Sequence, residues 1–449
     1  MNGIHRNKHL SSSQIIALGF LLVITVGCLL LMLPISTVDG RGASFLDAFF
    51  TATSAVCVTG LIVQNTVTYW TGFGQFIIIL LIQIGGMGVV TLAVSIAMLS
   101  GRKIGLMQRS TMQEAIAAPN MSGIVRLTSF ILRVSIMIEL IGAACMAPFF
   151  CKEFGFWKGI WYAIFHSISA FCNAGFDLMG IETPFCSLVE CSAQPVINLT
   201  IMALIIVGGL GFLTWEDIHT NHWNIRKYRM QSKVILCMTA GLVICPTLYF
   251  YFIEFAYEPW QDISTKERIL ISLFQTVTPR TAGFNTVDLS LLSGTGQILM
   301  ILLMLIGGAP GSTAGGLKVT TMAVLFASTL SVFRRNEDAH CFGRRIAIDT
   351  IKYASAIFVM YITLFLVGGM AISVLEGLPI IDCLFESASA ICTVGLSLGL
   401  TPGLGTISKV ILISLMYLGR VGGLTLVFAA TAHHHMPQSK FPQEKITVG

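Results

Sequence analysis

Long apolar stretches alternate with shorter ones along the chain, and most charged residues fall in the connections between them. Eight stretches are long enough to cross about 30 Å of hydrocarbon as helices. They are 15–33, 73–99, 128–150, 196–215, 232–253, 294–333 (interrupted), 351–375 and 404–432. Between the members of each consecutive pair lies a segment of 11 to 16 residues, at 45–57, 157–172, 268–278 and 378–392. Helices of that length cannot span the bilayer and enter it only as re-entrant segments. The pattern predicts an all-α membrane protein with eight transmembrane spans and four re-entrant helices.

The composition agrees with this interpretation and excludes a soluble enzyme. Of the 449 residues, 55% are hydrophobic and 11% are charged, against roughly 25% charged in ordinary soluble domains. The cysteines lie mostly inside apolar stretches, and no CxxC pair or Ser/His/Asp set indicates catalysis. Cys186 and Cys191 share a polar loop, either as a disulfide or as free thiols. No basic run points to a nucleic-acid partner.

Lysine and arginine predict the orientation in the membrane. Of the 27 basic residues, 18 fall in the N-terminus, the tail and the connections between pairs of spans. Six fall on the other side and three, Arg280, Lys318 and Arg420, lie inside membrane segments. Because cytoplasmic loops carry the excess of positive charge, both termini are expected in the cytoplasm of a multi-pass cell-membrane protein. The re-entrant helices then enter from outside.

A seven-residue motif, Ser-Ala-x-Cys-x-x-Gly, closes the short segments and reveals a repeat. It occurs at 54–60, 169–175 and 389–395, and a divergent copy, Thr-Pro-Arg-Thr-Ala-Gly-Phe, occupies 278–284. The closing glycines are separated by 115, 108 and 112 residues, which matches a unit of span, short helix and span. We predict four pseudo-symmetric repeats, at 11–100, 125–217, 230–333 and 349–432, followed by a tail at 433–449.

Four copies of span, short helix, glycine-bearing segment and span predict one central pore. Extended backbone with glycine can present carbonyl oxygens to a dehydrated cation, and short helices direct their negative dipole ends towards the same place. The candidate selectivity filter consists of Val58, Thr59, Gly60, Asn173, Ala174, Gly175, Thr281, Ala282, Gly283, Thr393, Val394 and Gly395. Close helix packing is the alternative for any single glycine, but four in register favour the filter.

A second glycine motif follows each filter glycine, and its third copy is extended into a loop. The copies are Gly85-Gly86, Gly208-Gly209, Gly307-Gly308 and Gly419-Arg420. Five glycines and one proline between 307 and 318 forbid a continuous helix, and irregular backbone at membrane depth must line protein or water. A phosphate-binding loop is excluded because Leu317 stands where that motif needs lysine. The candidate gate consists of Gly308, Ala309, Pro310, Gly311, Ser312, Thr313, Ala314, Gly315, Gly316, Lys318 and, from the last span, Arg420.

Arg420 lies in the middle of the last span, where an arginine costs about 2.5–3.5 kcal/mol on insertion scales. Either it donates to carbonyl oxygens of the candidate gate and holds the gate across the pore, or it pairs with Glu139, an acid deep in another span. Its register with Gly308 favours the gate. For Arg280 we expect a structural ion pair with an outer acid, and for His166 a packing role.

The four-fold pattern, the SAxCxxG motifs and the TPRTAGF segment resemble the Trk/Ktr/HKT superfamily of potassium transporters over nearly the whole chain. Within it the sequence is similar to the membrane subunit of bacterial Ktr systems, since Trk-type chains carry additional N-terminal spans and this sequence starts directly with the first repeat. In that family one glycine per repeat lines the filter, and serine at the first position is associated with sodium-permeable plant members. Glycine at all four positions therefore implies a preference for potassium, and the 308–316 loop is similar to the family's intramembrane gate.

The resemblance also implies partners. It implies a homodimer on a cytoplasmic ring of nucleotide-binding regulatory subunits, with potassium as the transported ion and sodium as an activator. We expect no cofactor in this chain and no metal other than the transported ion, because the adjacent histidines at 433–435 cannot all face one site. The alternative function is an ion-coupled secondary transporter of a small solute with a broken helix at the midplane. Such transporters use two inverted halves, whereas these four units run the same way.

Overall fold

The structure, a computed structural model, describes residues 11–91, 105–116, 123–181, 183–261 and 263–422. One order of elements recurs four times in these ranges: a long helix, a short helix, an extended segment and another helix. The first two units contain α1 (Ser12–Leu31), α2 (Phe45–Val56), α3 (Thr66–Tyr69), α4 (Gly72–Met87), α5 (Leu106–Ile116), α6 (Ile124–Phe154), α7 (Phe156–Phe171), α8 (Pro195–Gly209) and α9 (Phe212–Asn221).

The other two units contain α10 (Met230–Phe252), α11 (Thr265–Val277), α12 (Gly294–Leu305), α13 (Val319–Phe333), α14 (Ile348–Glu376), α15 (Ile380–Ile391) and α16 (Thr406–Val421). Between α13 and α14, β1 (His340–Cys341) pairs antiparallel with β2 (Arg344–Arg345). The short helices are thus α2, α7, α11 and α15, and each begins and ends within a few residues of a segment predicted to be too short to span.

Four helices of the described ranges, α1, α6, α10 and α14, are long and apolar enough to cross a membrane. The bent pair of α8 and α9 is a fifth if it counts as one span. Each of the four long helices opens one repeat. The second helix of each repeat is shorter or broken, and the predicted spans 73–99 and 404–432 continue outside the described residues. Eight membrane crossings, whether made by continuous or by broken helices, therefore remain a prediction.

The predicted span 196–215 is not one continuous helix, which corrects the sequence analysis. α8 ends at Gly209 and α9 starts at Phe212, with their axes bent by 96°. Gly211, at the break, has φ +87°, and two glycines hold the equivalent place in other repeats, Gly88 with φ +85° and Gly422 with φ +89°. L side chains rarely adopt these angles. In three of the four repeats a glycine three residues after the start of the second motif therefore ends the helix that carries the motif, and in the remaining repeat Pro310 holds this position.

The first glycine of the second motif brings each of these helices against the end of a short helix. A Cβ atom on Gly85, Gly208 or Gly419 would collide with the carbonyl oxygen of Val56, Phe171 or Ile391, respectively. Each of those three residues is the last of its short helix. The motif is therefore a close-packing device, and it sets the depth at which each short helix stops.

The repeats close into a ring because the second helix of each one also packs on the short helix of the next. α4 contacts α7, α8 contacts α11, α12 contacts α15, and α16 contacts α2 of the first repeat. The buried core follows this ring, and the largest fully buried side chains include Phe50, Phe171, Phe274 and Phe385 of the short helices. The four extended segments consequently meet at one axis.

Candidate functional site

Each of the four extended segments starts from the same unusual backbone conformation directly after its short helix. The first residues are left-handed, with φ of 56° at Val58, 59° at Asn173, 65° at Thr281 and 52° at Thr393. The filter glycines two positions later also have positive φ: 94° at Gly60, 68° at Gly175, 85° at Gly283 and 94° at Gly395. This conformation costs free energy in non-glycine residues. Its presence in all four repeats indicates that the four segments follow the same backbone course.

The filter glycines meet one another in a closed ring. A Cβ atom on each would collide with a carbonyl oxygen in the next repeat: Gly60 faces Ala174, Gly175 faces Ala282, Gly283 faces Val394, and Gly395 faces Thr59. The last contact returns to the first repeat, so the twelve candidate filter residues converge in chain order. Glycine is needed at these positions for both its φ and its small size.

The first residue of each motif braces the filter segment, a role that the sequence analysis missed. The hydroxyl oxygens of Ser54 and Ser389 accept the amide N–H groups of Gly60 at 3.1 Å and Gly395 at 3.0 Å. The hydroxyls of Ser169 and Thr278 instead donate to the carbonyl that follows the glycine, those of Phe176 and Phe284. The sequence signal that could have revealed this role is that all four motifs begin with serine or threonine, whose side chains carry a hydroxyl group. The third copy has one residue fewer between the hydroxyl and the glycine.

A cavity of about 320 Å³ lies on one side of the glycine ring. All four filter glycines line it, together with Asp177 and Asp288. The Asp177 carboxylate accepts the N–H of Met179 at 3.0 Å, and Asp288 accepts the hydroxyl of Ser290 at 2.7 Å. Carboxylates at a narrow mouth raise the local concentration of cations. In the described residues no three histidine, cysteine or acidic side chains form a metal site.

The candidate gate loop lies on the other side of the ring, attached to the second repeat. The N–H of Ala309 donates to the carbonyl of Gly209 at 2.9 Å, and the N–H of Phe212 donates to that of Gly311 at 2.7 Å. These bonds use backbone groups freed where α8 and α9 separate. The hydroxyl of Thr313 donates to the carbonyl of Phe171 at 3.0 Å, at the end of the short helix α7. The loop therefore sits directly beneath one filter segment.

Two cationic side chains donate to the loop's carbonyls. Arg420 of α16 donates to Thr313 at 2.5 Å and to Gly85 at 2.5 Å. Lys318, at the end of the loop, donates from Nζ to Ala314 at 2.8 Å and Gly315 at 3.3 Å. The structure thus brings the predicted gate residues together with Arg420, and Arg420 ties the loop to the first repeat as well.

The alternative ion pair between Arg420 and Glu139 is wrong. Glu139 accepts the side-chain amide of Gln83 at 3.0 and 3.2 Å. The amide provides the carboxylate with a hydrogen-bond donor without providing a positive charge. The carbonyl oxygens freed at the end of α4 and in the gate loop give Arg420 a denser set of acceptors than one carboxylate.

Two further expectations have different outcomes. The predicted ion pair of Arg280 with an outer acid is not found among the described residues, where its guanidinium donates to the hydroxyl of Thr239 on α10 at 3.0 Å. The packing role of His166 is confirmed: the buried ring contacts the carbonyl of Tyr162 at 2.8 Å and accepts the N–H of Leu178 at 3.3 Å. The histidines at 433–435 lie outside the described residues.

A ring of glycine-bearing segments between helix ends, inside a fold with membrane-crossing helices, defines a membrane transport protein. The TrkH family, described as cation transport proteins, matches residues 10–443, and the chain belongs to this family.

Two relatives and one solved structure match this chain over nearly its full length. The chain is 41% identical to the potassium/sodium uptake protein NtpJ of Enterococcus hirae, over 98% of both chains. It is 38% identical to the Ktr system potassium uptake protein B of Bacillus subtilis, over 97% of this chain and 96% of that one. Its fold is similar to the crystal structure of the potassium transporter TrkH from Vibrio parahaemolyticus, with a TM-score of 0.73 at 21% identity over 96% of this chain and 87% of the other.

Proposed function

We propose that this chain is the ion-translocating subunit of a potassium uptake system and that the ion passes through the glycine ring. The observation that carries the proposal is the ring itself, in which four positive-φ glycines each face a carbonyl of the next repeat. Extended segments of this kind can replace the hydration shell of a cation with backbone oxygens. The carboxyl ends of four short helices lie beside them, and their dipoles favour positive charge.

Potassium is the proposed ion because all four filter positions are glycine and because relatives at 38% and 41% identity are named for potassium uptake. The name of the Enterococcus hirae relative includes sodium as well. One glycine per repeat makes a shorter filter than the TVGYG segment of potassium channels. We therefore expect potassium to be preferred over sodium with modest discrimination. We also propose that sodium acts as an activator, as the resemblance to Ktr systems implies.

Each repeat is proposed to cross the membrane twice, with its short helix entering from outside. The support is the distribution of charge, since the loops opposite the short helices hold most of the lysines and arginines. Both termini are then cytoplasmic, and the cavity with Asp177 and Asp288 is the outer mouth. The gate loop lies on the cytoplasmic side of the filter.

The loop at 308–316 is proposed to obstruct the pore until a cytoplasmic partner releases it. Its support is the set of contacts with Gly209, Phe171 and Arg420, which fix non-helical backbone across the inner side of the ring. The partner proposed is a ring of nucleotide-binding subunits that carries a homodimer of this chain.

Potassium uptake in a host without its own uptake systems tests the proposal. The chain is expressed alone and together with candidate ring subunits, and growth at low potassium is followed by measured influx of potassium or rubidium, with and without sodium. Influx that needs the chain and rises with the ring subunit is the expected result. Normal expression in the membrane without influx under any of these conditions would refute it. Solute uptake in place of potassium influx would instead favour a secondary transporter.

A further inference from the structure

The basic face of the molecule has an open cavity of about 810 Å³ at the start of α6. Three arginines line it, Arg109 of α5 and Arg126 and Arg133 of α6, together with His219 of α9. No aspartate or glutamate is among its described lining residues. The cavity lies at the end of α6 opposite the short helix α7, hence on the side where the chain concentrates its positive charge.

The arginines of this cavity have no anionic partner in the described part of the chain. The ion pairs there join Arg229 to Glu216 and Asp217, Arg345 to Asp338, and Lys352 to Asp349. The acids of α9 are therefore engaged with Arg229. Glu114, on the same helix as Arg109, accepts the hydroxyl of Ser13 at 2.5 Å. The positive charge of the cavity is left for a ligand from outside the chain.

The first turn of α6 adds backbone donors. Its N-cap residue Gly123 has φ +77° and provides no side-chain cap, and Gly123, Ile124 and Val125 all line the cavity. The first N–H groups of a helix have no partner within the helix, and its dipole favours negative charge at this end. Arginine side chains at an uncapped helix start form a site suited to a phosphate group.

A shallow apolar surface, called the groove below, continues from the cavity along the same face of α6, and all the described residues that line it belong to this helix. Its volume is about 520 Å³, and Arg133 and Met137 line both spaces. Beyond them the groove follows Leu140, Ile141 and Ala144. Spacings of three, four and seven residues place these positions on one helix face. Arg133 thus lies at the boundary between the charged cavity and an apolar surface that we expect to face the hydrocarbon of the membrane.

We propose that this site binds an anionic phospholipid, with its phosphate headgroup among Arg109, Arg126, Arg133 and the start of α6 and an acyl chain along the groove. A basic pocket between membrane helices on the cytoplasmic side fits such headgroups. A free phosphate would use the cavity but not the groove that opens from it, so the lipid accounts for both. The site is separate from the glycine ring, and its occupancy does not depend on which ion is transported.

The test uses the full chain purified in a neutral detergent. Its unfolding temperature is measured with phosphatidylcholine, with phosphatidylglycerol, with glycerol phosphate and with inorganic phosphate, and bound lipid is counted by native mass spectrometry. Phosphatidylglycerol is expected to raise the unfolding temperature by several degrees and to remain bound, while phosphatidylcholine and the two soluble phosphates have little effect.

A matched pair of variants assigns the effect to this site. Arg126→Gln with Arg133→Gln should lose the response to phosphatidylglycerol and keep the parent's unfolding temperature in phosphatidylcholine, since both side chains are exposed. Arg226→Gln with Arg334→Gln removes two exposed arginines outside the cavity and should respond like the parent. If the double variant does not fold, Arg126→Gln alone is compared in the same way.

Three outcomes would overturn the proposal. An equal response in both double variants would mean general charge attraction, and an equal response to inorganic phosphate would mean a site for free anions. Loss of the lipid response on forming a dimer, with the groove protected, would mean that a second copy of the chain covers it.

Discussion

Arg420 connects three repeats through backbone oxygens. It donates to Thr313 in the gate loop of the third repeat and to Gly85 and Gly86 at the end of α4 in the first, while its own helix belongs to the fourth. Hydrogen bonds from a charged donor are worth roughly 1.5–3 kcal/mol each. A residue so placed can hold the loop in one position, and in the proposed pore its positive charge would also repel the cation.

Replacing Arg420 by alanine should therefore increase ion flux. Loss of one such bond to the loop corresponds to a change of roughly ten- to hundredfold in the balance between closed and open forms. We expect influx to rise by that order and to depend less on the cytoplasmic partner, as measured by rubidium influx at matched expression. Arg420→Lys, which keeps one charged donor, should lie between the two. Reduced influx at normal expression would contradict a latch, and Glu139→Gln serves as a control because Gln83 can still bond to the amide.

Gly60 should be sensitive to any side chain. Its φ is +94° and a Cβ atom would meet the carbonyl oxygen of Ala174, and a left-handed non-glycine residue adds about 1–2 kcal/mol. Gly60→Ser should therefore distort the ring and lower the potassium/sodium uptake ratio several-fold in competition assays. Gly72→Ser is the matched control because no atom lies within 4 Å of a Cβ there. An unchanged ratio in Gly60→Ser would remove this residue from the filter.

At the scale of elements, the short helices were predictable and the helix breaks were only partly so. Apolar segments too short to span identified α2, α7, α11 and α15, and proline and five glycines identified the loop after α12. The break after α8 was missed because a single glycine, Gly211, produces it, and single glycines are common in membrane helices. Comparison of Gly88, Gly211 and Gly422 across the repeats was the signal that could have found it.

Two helix glycines with different surroundings test the packing role of the second motif. A Cβ atom on Gly208 of α8 would collide with the carbonyl oxygen of Phe171, whereas nothing lies within 4 Å of one on Gly241 of α10. Gly208→Ala should destabilise the protein by about 1–3 kcal/mol through overpacking. Gly241→Ala should be neutral or stabilising by about 0.5–1 kcal/mol because alanine favours the helix. Thermal unfolding in detergent measures both, and equal unfolding temperatures would show that α8 does not need this close contact.

At the scale of the whole molecule, the repeat spacing predicted that four segments converge, since equivalent units close most simply around one axis. The sequence could not identify which side chains meet across repeats. Arg420 and Thr313 are 107 residues apart, and Arg420 and Gly85 are 335 apart. The partners of Arg420 are carbonyl oxygens, which occur throughout the chain and leave no pattern, whereas Glu139 was conspicuous only because acids are rare in the spans.

The orientation of the whole molecule can be tested with two exposed tryptophans. Trp157 is 83% exposed at the start of the short helix α7, and Trp223 is 95% exposed after α9, in the predicted cytoplasmic connection. Because positively charged loops are retained in the cytoplasm, Trp157→Cys should react with a membrane-impermeant maleimide on intact cells, above the signal of the unchanged protein. Trp223→Cys should react only after the cells are permeabilised. Equal labelling of both variants in permeabilised cells is the control for reactivity, and labelling of Trp223→Cys alone on intact cells would invert the proposed topology, with the short helices then entering from the cytoplasm.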